Sequence, residues 1–443
     1  MNVGSRARAL IRPLARRHHA PAIPPGSVTE RFLAPVAPVT PTTPPGPTIV
    51  LLNDCRDQDN YGAEALVDGL IRILAHRLPT ATLRPVPSHW VIDAAFGFGA
   101  FVDGGVGLHQ PAATYPQVAD QFETVADDWQ AGRGGPGVPE LLERFSGADL
   151  VLLNGEGSVY RTNLSAIREL YLAWFAKERL GIPTAYVNGG IHLTDVMPVL
   201  PAMVRKTFAS LDAVAVREPR SLRNLREYVP EVAARCFPDS AFAFSPADAL
   251  TSSAVAEVRS RIGSAPYFCF DPGPMPLDAR PGATSALHRL LTTLQEVCPQ
   301  AVLVCSAPAD AYMEQTAREV GGLYVDTVVG YREFMALVAD AQFLVSGRYH
   351  NPILAALVGC PTITLASTNH KVHGACEMLD GLIGTPFDST WLSPDLPRIA
   401  EQARAYVDDR AGWRDRLLAL CAQRRDEVAG LAELVARVLD AEA

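Results

Sequence analysis

Residues 342–365 read QFLVSGRYHNPILAALVGCPTITL, and this stretch decides the fold class. Gln342 to Val345 is a strand-like run, apolar from Phe343 on, that stops at a serine–glycine turn. His350 to Val358 carries no charge apart from its histidine and is too long for a strand. Gly359-Cys360-Pro361 ends that segment, and a second apolar run closes at Leu365. Strands that are apolar at successive positions are covered on both faces, which is the condition of a parallel sheet with crossover helices. The stretch therefore reads as strand, helix, strand.

The same rhythm extends in both directions. Toward the N-terminus, strands are expected at 48–53, 82–86, 149–153, 184–188, 212–216 and 235–237, with helices at 64–78, 164–180, 198–210 and 219–228. Residues 87–137 are rich in glycine and aromatics without a clean period and read as an irregular insertion. After a break at Pro238 to Pro246, strands are expected at 267–270, 301–305, 323–325, 342–345 and 361–365. Helices fall between them, and two long helices at about 393–409 and 411–440 close the chain. The expected fold class is α/β: two tandem Rossmann-like, doubly wound domains. Ligands of such sheets bind beyond the carboxyl ends of the strands where strand order reverses, so the site is expected in an interdomain cleft. The expected organisation is an arm at 1–47, domains at 48–238 and 239–390, and C-terminal helices at 391–443.

Composition narrows the function. The 443 residues are 48% hydrophobic and 20% charged, which suits a globular chain with a sizeable core. A net charge of −9 argues against a nucleic-acid binder, which needs a broad cationic surface. Small anions need only a local cluster of cations and stay open. Almost all positive charge is arginine; lysine occurs at Lys177, Lys206 and Lys371. The eight cysteines include no CxxC spacing and lie mostly in apolar runs, as expected of buried thiols in a cytoplasmic protein. No apolar run approaches the length of a membrane span. Residues 1–47 differ from the rest, with six arginines facing one acid and nine prolines at 21–47. They read as a disordered basic arm, or as a helix making peripheral contact with the inner face of an anionic membrane.

Five segments fall where a strand hands over to a helix, a position that points backbone N–H groups at an anion. Asn60-Tyr61-Gly62 offers a capping or donating amide and a close backbone approach. Asn154-Gly155-Glu156-Gly157-Ser158 presents a carboxylate on a glycine turn, either toward a ligand or into solvent. Asn188-Gly189-Gly190-Ile191-His192 is a second glycine turn. Val216-Arg217-Glu218 places an arginine at the mouth of a buried strand, to clamp an anion or to pair with an acid such as Glu218, and Pro238-Asp239-Ser240 adds a carboxylate that could orient it. Ser346-Gly347-Arg348-Tyr349-His350 joins an anion clamp to a group able to carry protons near neutrality. Lys371 follows the next strand. His370 and His373 lack a further ligand at metal-binding spacing, so no metal is expected.

In order and spacing, Asn60-Tyr61-Gly62, Asp149 to Ser158, Val216 to Ser221, Pro238-Asp239-Ser240 and Ser346 to His350, with Gly359-Cys360-Pro361 and Lys371, resemble the polysaccharide pyruvyl transferases over about residues 50–380. The resemblance implies two Rossmann-like domains similar to GT-B glycosyltransferases, phosphoenolpyruvate as donor substrate, a sugar diol as acceptor, and no cofactor. It makes His350 the general acid and Arg217 and Arg348 the ligands of the donor anion, with Lys371 assisting. Glu156 or Asp239 would accept a hydroxyl proton, and Asn60, Gly62, Asn154, Ser158 and Ser346 would line the substrate. Asn154-Gly155-Glu156-Gly157-Ser158 departs from the family's commoner run of three glycines, and Tyr349 stands where leucine is frequent. Two other functions fit the same architecture: a glycosyltransferase with a nucleotide-sugar donor, and a non-catalytic sugar-binding protein.

Overall fold

The computed structural model describes residues 46–57, 60–87, 116–134, 138–157, 159–160, 164–196, 198–271, 273, 283–306, 308–325, 330–366, 370–390 and 392–441. Two parallel sheets organise them. The first contains β1 (Thr48–Asp54), β2 (Thr82–Pro87), β3 (Leu150–Asn154), β4 (Thr184–Gly189), β5 (Ala213–Val216) and β6 (Ala234–Cys236) in the order β2-β1-β3-β4-β5-β6. The second contains β7 (Tyr267–Asp271), β8 (Gln300–Val304), β9 (Leu323–Val325), β10 (Leu344–Ser346) and β11 (Thr362–Thr364) in the order β11-β10-β7-β8-β9. Strand order reverses between β1 and β3 and between β7 and β10. The α/β, doubly wound architecture read from the sequence is therefore present in both halves.

Both faces of each sheet are covered, which explains the unbroken apolar runs. Val50 and Leu52 of β1 join Val151 and Leu153 of β3 in one core, whereas Ile49, Leu51, Leu150 and Leu152 enter the core on the opposite face. In the second sheet Phe268 and Phe270 point one way and Tyr267 and Cys269 the other. Seven of the eight cysteines are buried and Cys236 is half-buried.

Two helices tie the sheets together. Helix Tyr61–Arg77 sends Leu66, Val67, Leu70 and Leu74 into the first sheet's core while Tyr61 and Ala65 pack with the second. Helix Arg410–Asp440 crosses between the halves: Leu417, Leu420 and Cys421 belong to the core of the second sheet, and Leu431, Leu434, Val435 and Val438 to that of the first. The break at Pro238 to Pro246 is packed too. Asp239, Ser240, Ala241 and Phe242 are fully buried, and Gly69 lies so close that a Cβ there would meet the Ser240 carbonyl oxygen at 2.1 Å.

Two expectations need adjusting. The stretch read as irregular contains helices Phe122–Gln130 and, just beyond it, Val138–Phe145; Phe122, Val125, Ala126 and Trp129 recur at helical spacing and are buried. Pro47, assigned to the arm by composition, already accepts a hydrogen bond from Thr82 N at 2.8 Å. Residues 1–45, with the expected basic arm and its membrane contact, lie outside the described residues. Among the described residues no helix is long and apolar enough to cross a membrane.

Candidate active site

The first sheet builds its half of the site at the carboxyl ends of β1, β3 and β5. Asn53 and Asn188 close β1 and β4 in left-handed backbone conformation, at φ of 59° and 58°, which asparagine tolerates better than most side chains. The Asn53 amide donates to Asn154 O at 2.8 Å and Glu156 O at 2.9 Å, and the Asn154 amide donates back to Asn53 O at 3.0 Å. This lacing fixes the turn that projects Glu156. Asn154 itself is fully buried and shapes the turn.

Arg217 follows β5 and is 1% exposed. Its Nη1 donates to the Glu156 carboxylate and, at 3.3 Å, to Asp239 Oδ2. The Tyr349 ring lies 3.9 Å from the guanidinium carbon, a cation–π contact between the two halves. Its Nε and Nη2 are buried without a hydrogen-bond partner. A buried N–H without a partner carries a desolvation cost of about 1–3 kcal/mol, so this edge of the fork is primed for an acceptor. Glu218 does not take that place; it accepts from Ser221 Oγ at 2.6 Å.

His350 begins helix His350–Leu357 and faces the same point from the second sheet. Its Nε2 is 3.5 Å from Asp239 Oδ2, while Asp239 Oδ1 accepts from Ala241 N at 2.9 Å. Asp239 therefore lies between the imidazole and the guanidinium. Burial pushes its carboxyl up, but the adjacent His350 imidazole and the charge of Arg217, with the Ala241 N–H, outweigh this and hold it below the usual range. Burial likewise opposes the charge on Glu156, and Arg217, Lys371 and His350 reverse the effect, holding that carboxyl at about 2. Lys371 opens helix Lys371–Met378, with Nζ 4.1 Å from the centre of the Tyr160 ring. Gly62 abuts His350, where a Cβ would sit 2.6 Å from Nδ1. Asn60 caps helix Tyr61–Arg77, accepting from Gly62 N at 3.1 Å and Ala63 N at 3.4 Å.

Arg348 stands in a second cluster. Its Nε donates to Asp271 Oδ1 at 3.1 Å and its Nη2 to Asp310. Burial disfavours its charge, but the two carboxylates more than compensate and raise its pKa. Asp271, at the end of β7, also accepts from Tyr61 OH at 3.3 Å, Gly273 N at 3.1 Å and Asn351 Nδ2 at 2.7 Å. Ser346 Oγ accepts from Arg348 N at 3.1 Å. These bonds stiffen the turn that presents His350. Asp271, Asp310, Tyr61 and Asn351 were not among the expected site residues; the signal was an acid directly closing the apolar strand YFCFD at the β7/β10 reversal.

The expected residues thus fall into groups. Glu156, Arg217, Asp239, His350, Gly62 and Lys371 converge, Arg348 and Ser346 support the His350 turn, and Asn60 and Asn154 shape backbone. Ser158 lies outside the described residues. Among the described residues there is no group of three or more side chains able to hold a metal ion.

Comparison with known proteins gives one family and a wider set of folds. The family model for polysaccharide pyruvyl transferase matches residues 60–369. No curated protein sequence matches. Among solved structures, the Anabaena protein HepE in complex with UDP shares 14% identity at a TM-score of 0.53, covering 89% of this chain and 100% of its own. UDP-GlcNAc 2-epimerase from Neisseria meningitidis, bound to UDP-GlcNAc, shares 10% at 0.52, covering 88% and 99%. Arabidopsis thaliana UGT89C1, complexed with quercetin, shares 12% at 0.51, covering 89% and 99%. At these identities the likeness establishes the fold, which is GT-B-like.

Proposed function

The chain belongs to the polysaccharide pyruvyl transferase family, and from that premise we propose that it moves the pyruvyl group of phosphoenolpyruvate onto two hydroxyls of a sugar, forming a ketal and releasing phosphate. The family makes the protein a transferase and implies a glycan acceptor. The donor and the chemistry are our reading. One observation carries it: Arg217 is a buried guanidinium with two unpartnered nitrogens, joined through Asp239 to the imidazole of His350. An anion fork beside a carboxylate-backed proton carrier is what protonation of an anionic enol ester requires.

In this reading the donor's carboxylate or phosphate engages the Nε/Nη2 edge of Arg217. Protonated His350 delivers its proton to the donor methylene, and a cationic centre develops at C2. One sugar hydroxyl adds there, phosphate departs, and the second hydroxyl closes the ketal; of the two hydroxyl protons released, one leaves on phosphate and one restores the histidine. Asp239 stabilises the imidazolium before transfer and fixes its orientation. Glu156, held near pKa 2, is too weak a base to take a hydroxyl proton at neutral pH and instead anchors Arg217. With His350 neutral, the charges of Glu156, Asp239, Arg217 and Lys371 cancel. Protonated His350, the form the reaction consumes, gives the cluster one net positive charge to set against a polyanionic donor.

The deciding assay offers the protein phosphoenolpyruvate with a panel of free and lipid-linked glycans and follows inorganic phosphate and ketal. Phosphate release that depends on both donor and glycan supports the proposal. Release of nucleoside diphosphate from a nucleotide sugar, with phosphoenolpyruvate untouched, replaces it by glycosyl transfer.

A further inference from the structure

A second imidazole–carboxylate line lies next to the site and has no part in the steps above. His370, immediately before Lys371, has its Nδ1 2.6 Å from Nδ1 of His192, and its Nε2 is 3.6 Å from Glu218 Oε1. The two rings stack obliquely with centroids 4.4 Å apart. Glu218 is fully buried, and its Oε2 and the His370 Nε2 are buried without hydrogen-bond partners. Gly374 leaves room for this carboxylate, since a Cβ there would lie 2.2 Å from Oε2. All three members border the machinery already described. Glu218 adjoins Arg217, His370 adjoins Lys371, and His192 follows Gly190, where a Cβ would meet Arg217 Nη2 at 3.0 Å.

Resting on the pyruvyl-transfer reading, we propose that His192, backed by His370 and Glu218, is the base that takes a proton from the attacking sugar hydroxyl. Ring nitrogens 2.6 Å apart hold one proton between them, one donating and the other accepting. With His370 Nε2–H directed at Glu218, its Nδ1 accepts from His192 Nδ1–H, and His192 Nε2 is left as a free base. When Nε2 takes the hydroxyl proton, the Nδ1 proton moves across to His370, and the positive charge comes to rest beside the Glu218 carboxylate. The proton count is one in at His192 and one stored at His370, which passes back through His192 to the departing phosphate, while the second hydroxyl proton restores His350. The other groups facing the line agree with it. Burial and then His370 lower the His192 pKa, keeping that ring neutral and receptive. Burial, Arg220 and His370 lower that of His373, against the opposing charge of Glu377, so His373 does not compete for the proton.

The division of labour is chemically sensible, because the reaction needs an acid for carbon and a base for oxygen at the same time. Two histidines with separate carboxylates let one be charged while the other is neutral.

Two measurements test this. Ring NMR of histidine-labelled protein reads the line without any mutation: a proton held between the two Nδ1 atoms should give one strongly deshielded N–H signal coupled to both the His192 and the His370 ring. His192→Gln should abolish that signal. Absence of any such shared-proton signal in the parent protein overturns the relay. The second measurement is the pH profile of phosphate release. His192→Gln should lower kcat by about 10²-fold, abolish the acid limb of kcat, and leave the KM for phosphoenolpyruvate within about twofold. His370→Gln, which keeps the base but removes its proton store, should lower kcat less and move the acid limb. If the parent is active and His192→Gln keeps its turnover and its acid limb, this role falls while the pyruvyl-transfer reading stands. If the parent releases no phosphate with any glycan, both fall together.

Discussion

Gly62 and His350 touch with nothing between them: the first turn of a helix anchored in one sheet lies against the imidazole carried by the other, and a Cβ at 62 would sit 2.6 Å from Nδ1. The glycine sets how close the two halves approach at this imidazole. Gly62→Ala must therefore displace the ring from the position it holds beside Asp239. A displacement of about 1 Å at a reacting group costs on the order of 10² in rate. The expected outcome is such a loss in kcat with a melting temperature within a few degrees of the parent; unchanged kcat would separate Gly62 from catalysis.

His350→Ala is expected to lower turnover by about 10² to 10⁴-fold while donor affinity changes much less. Calorimetric titration with phosphoenolpyruvate beside single-turnover phosphate release separates the two quantities. Parent-like turnover removes His350 from the acid role.

Arg217→Lys preserves charge but loses the planar fork, with the Nε/Nη2 edge and the flat face against Tyr349. Donor binding should weaken by about 10- to 100-fold, the worth of a charge-assisted hydrogen bond. Equal donor affinity in the lysine variant, with an intact melting curve, would make the arginine structural.

Glu156 supplies an acid-sensitive contribution. Its folded-state pKa of about 2 lies below the ordinary 4.5, so the stabilisation is complete above the ordinary value and disappears as pH falls toward 2. Glu156→Gln should melt below the parent at neutral pH, and the gap should close across that acidic window. A gap that does not depend on pH would show that the carboxylate's charge is not what matters.

Glu64 behaves in the opposite sense. Burial, then repulsion from Asp68, raise its carboxyl to about 7 against the attraction of Arg56. The folded protein keeps a proton there that the unfolded chain releases near 4.5, so stability declines as pH rises through that interval and the full cost is present above it. Glu64→Gln should raise the melting temperature at about pH 8 and change little near pH 4. A variant that melts lower at both would point to a lost contact.

How much of this was legible in the sequence depended on what each residue answers to. β1, β3, β4 and β7 were readable because strands covered on both faces must be apolar throughout. The helix around Phe122 to Trp129 was missed although its spacing is helical, because the glycine-rich flank diluted the pattern and three acids interrupt it. His350, Arg217, Asp239 and Glu156, which the structure brings together, stood out in the sequence because charged groups at the mouths of buried strands have no packing reason to be there. What spacing along the chain could not reveal was partnership. Arg217 and Arg348 look equivalent as text, yet one keeps an unpartnered edge and the other is held by Asp271 and Asp310, residues 77 and 38 positions away. The His192–His370 contact spans 178 positions and depends on how the two sheets face each other.

Helix Arg410–Asp440 gives the fold a temporal order. Each sheet's core is completed by side chains that follow every strand in the sequence, so during synthesis both sheets exist before the element that seals either of them. A nascent chain halted before Leu417 would expose apolar surface on both halves at once, and one halted near Gln423 would seal only the second. The candidate active site, which draws from both sheets, thus becomes dependable only once this helix has formed, and a ribosome-bound chain should be a client for chaperones until residues 410–440 emerge.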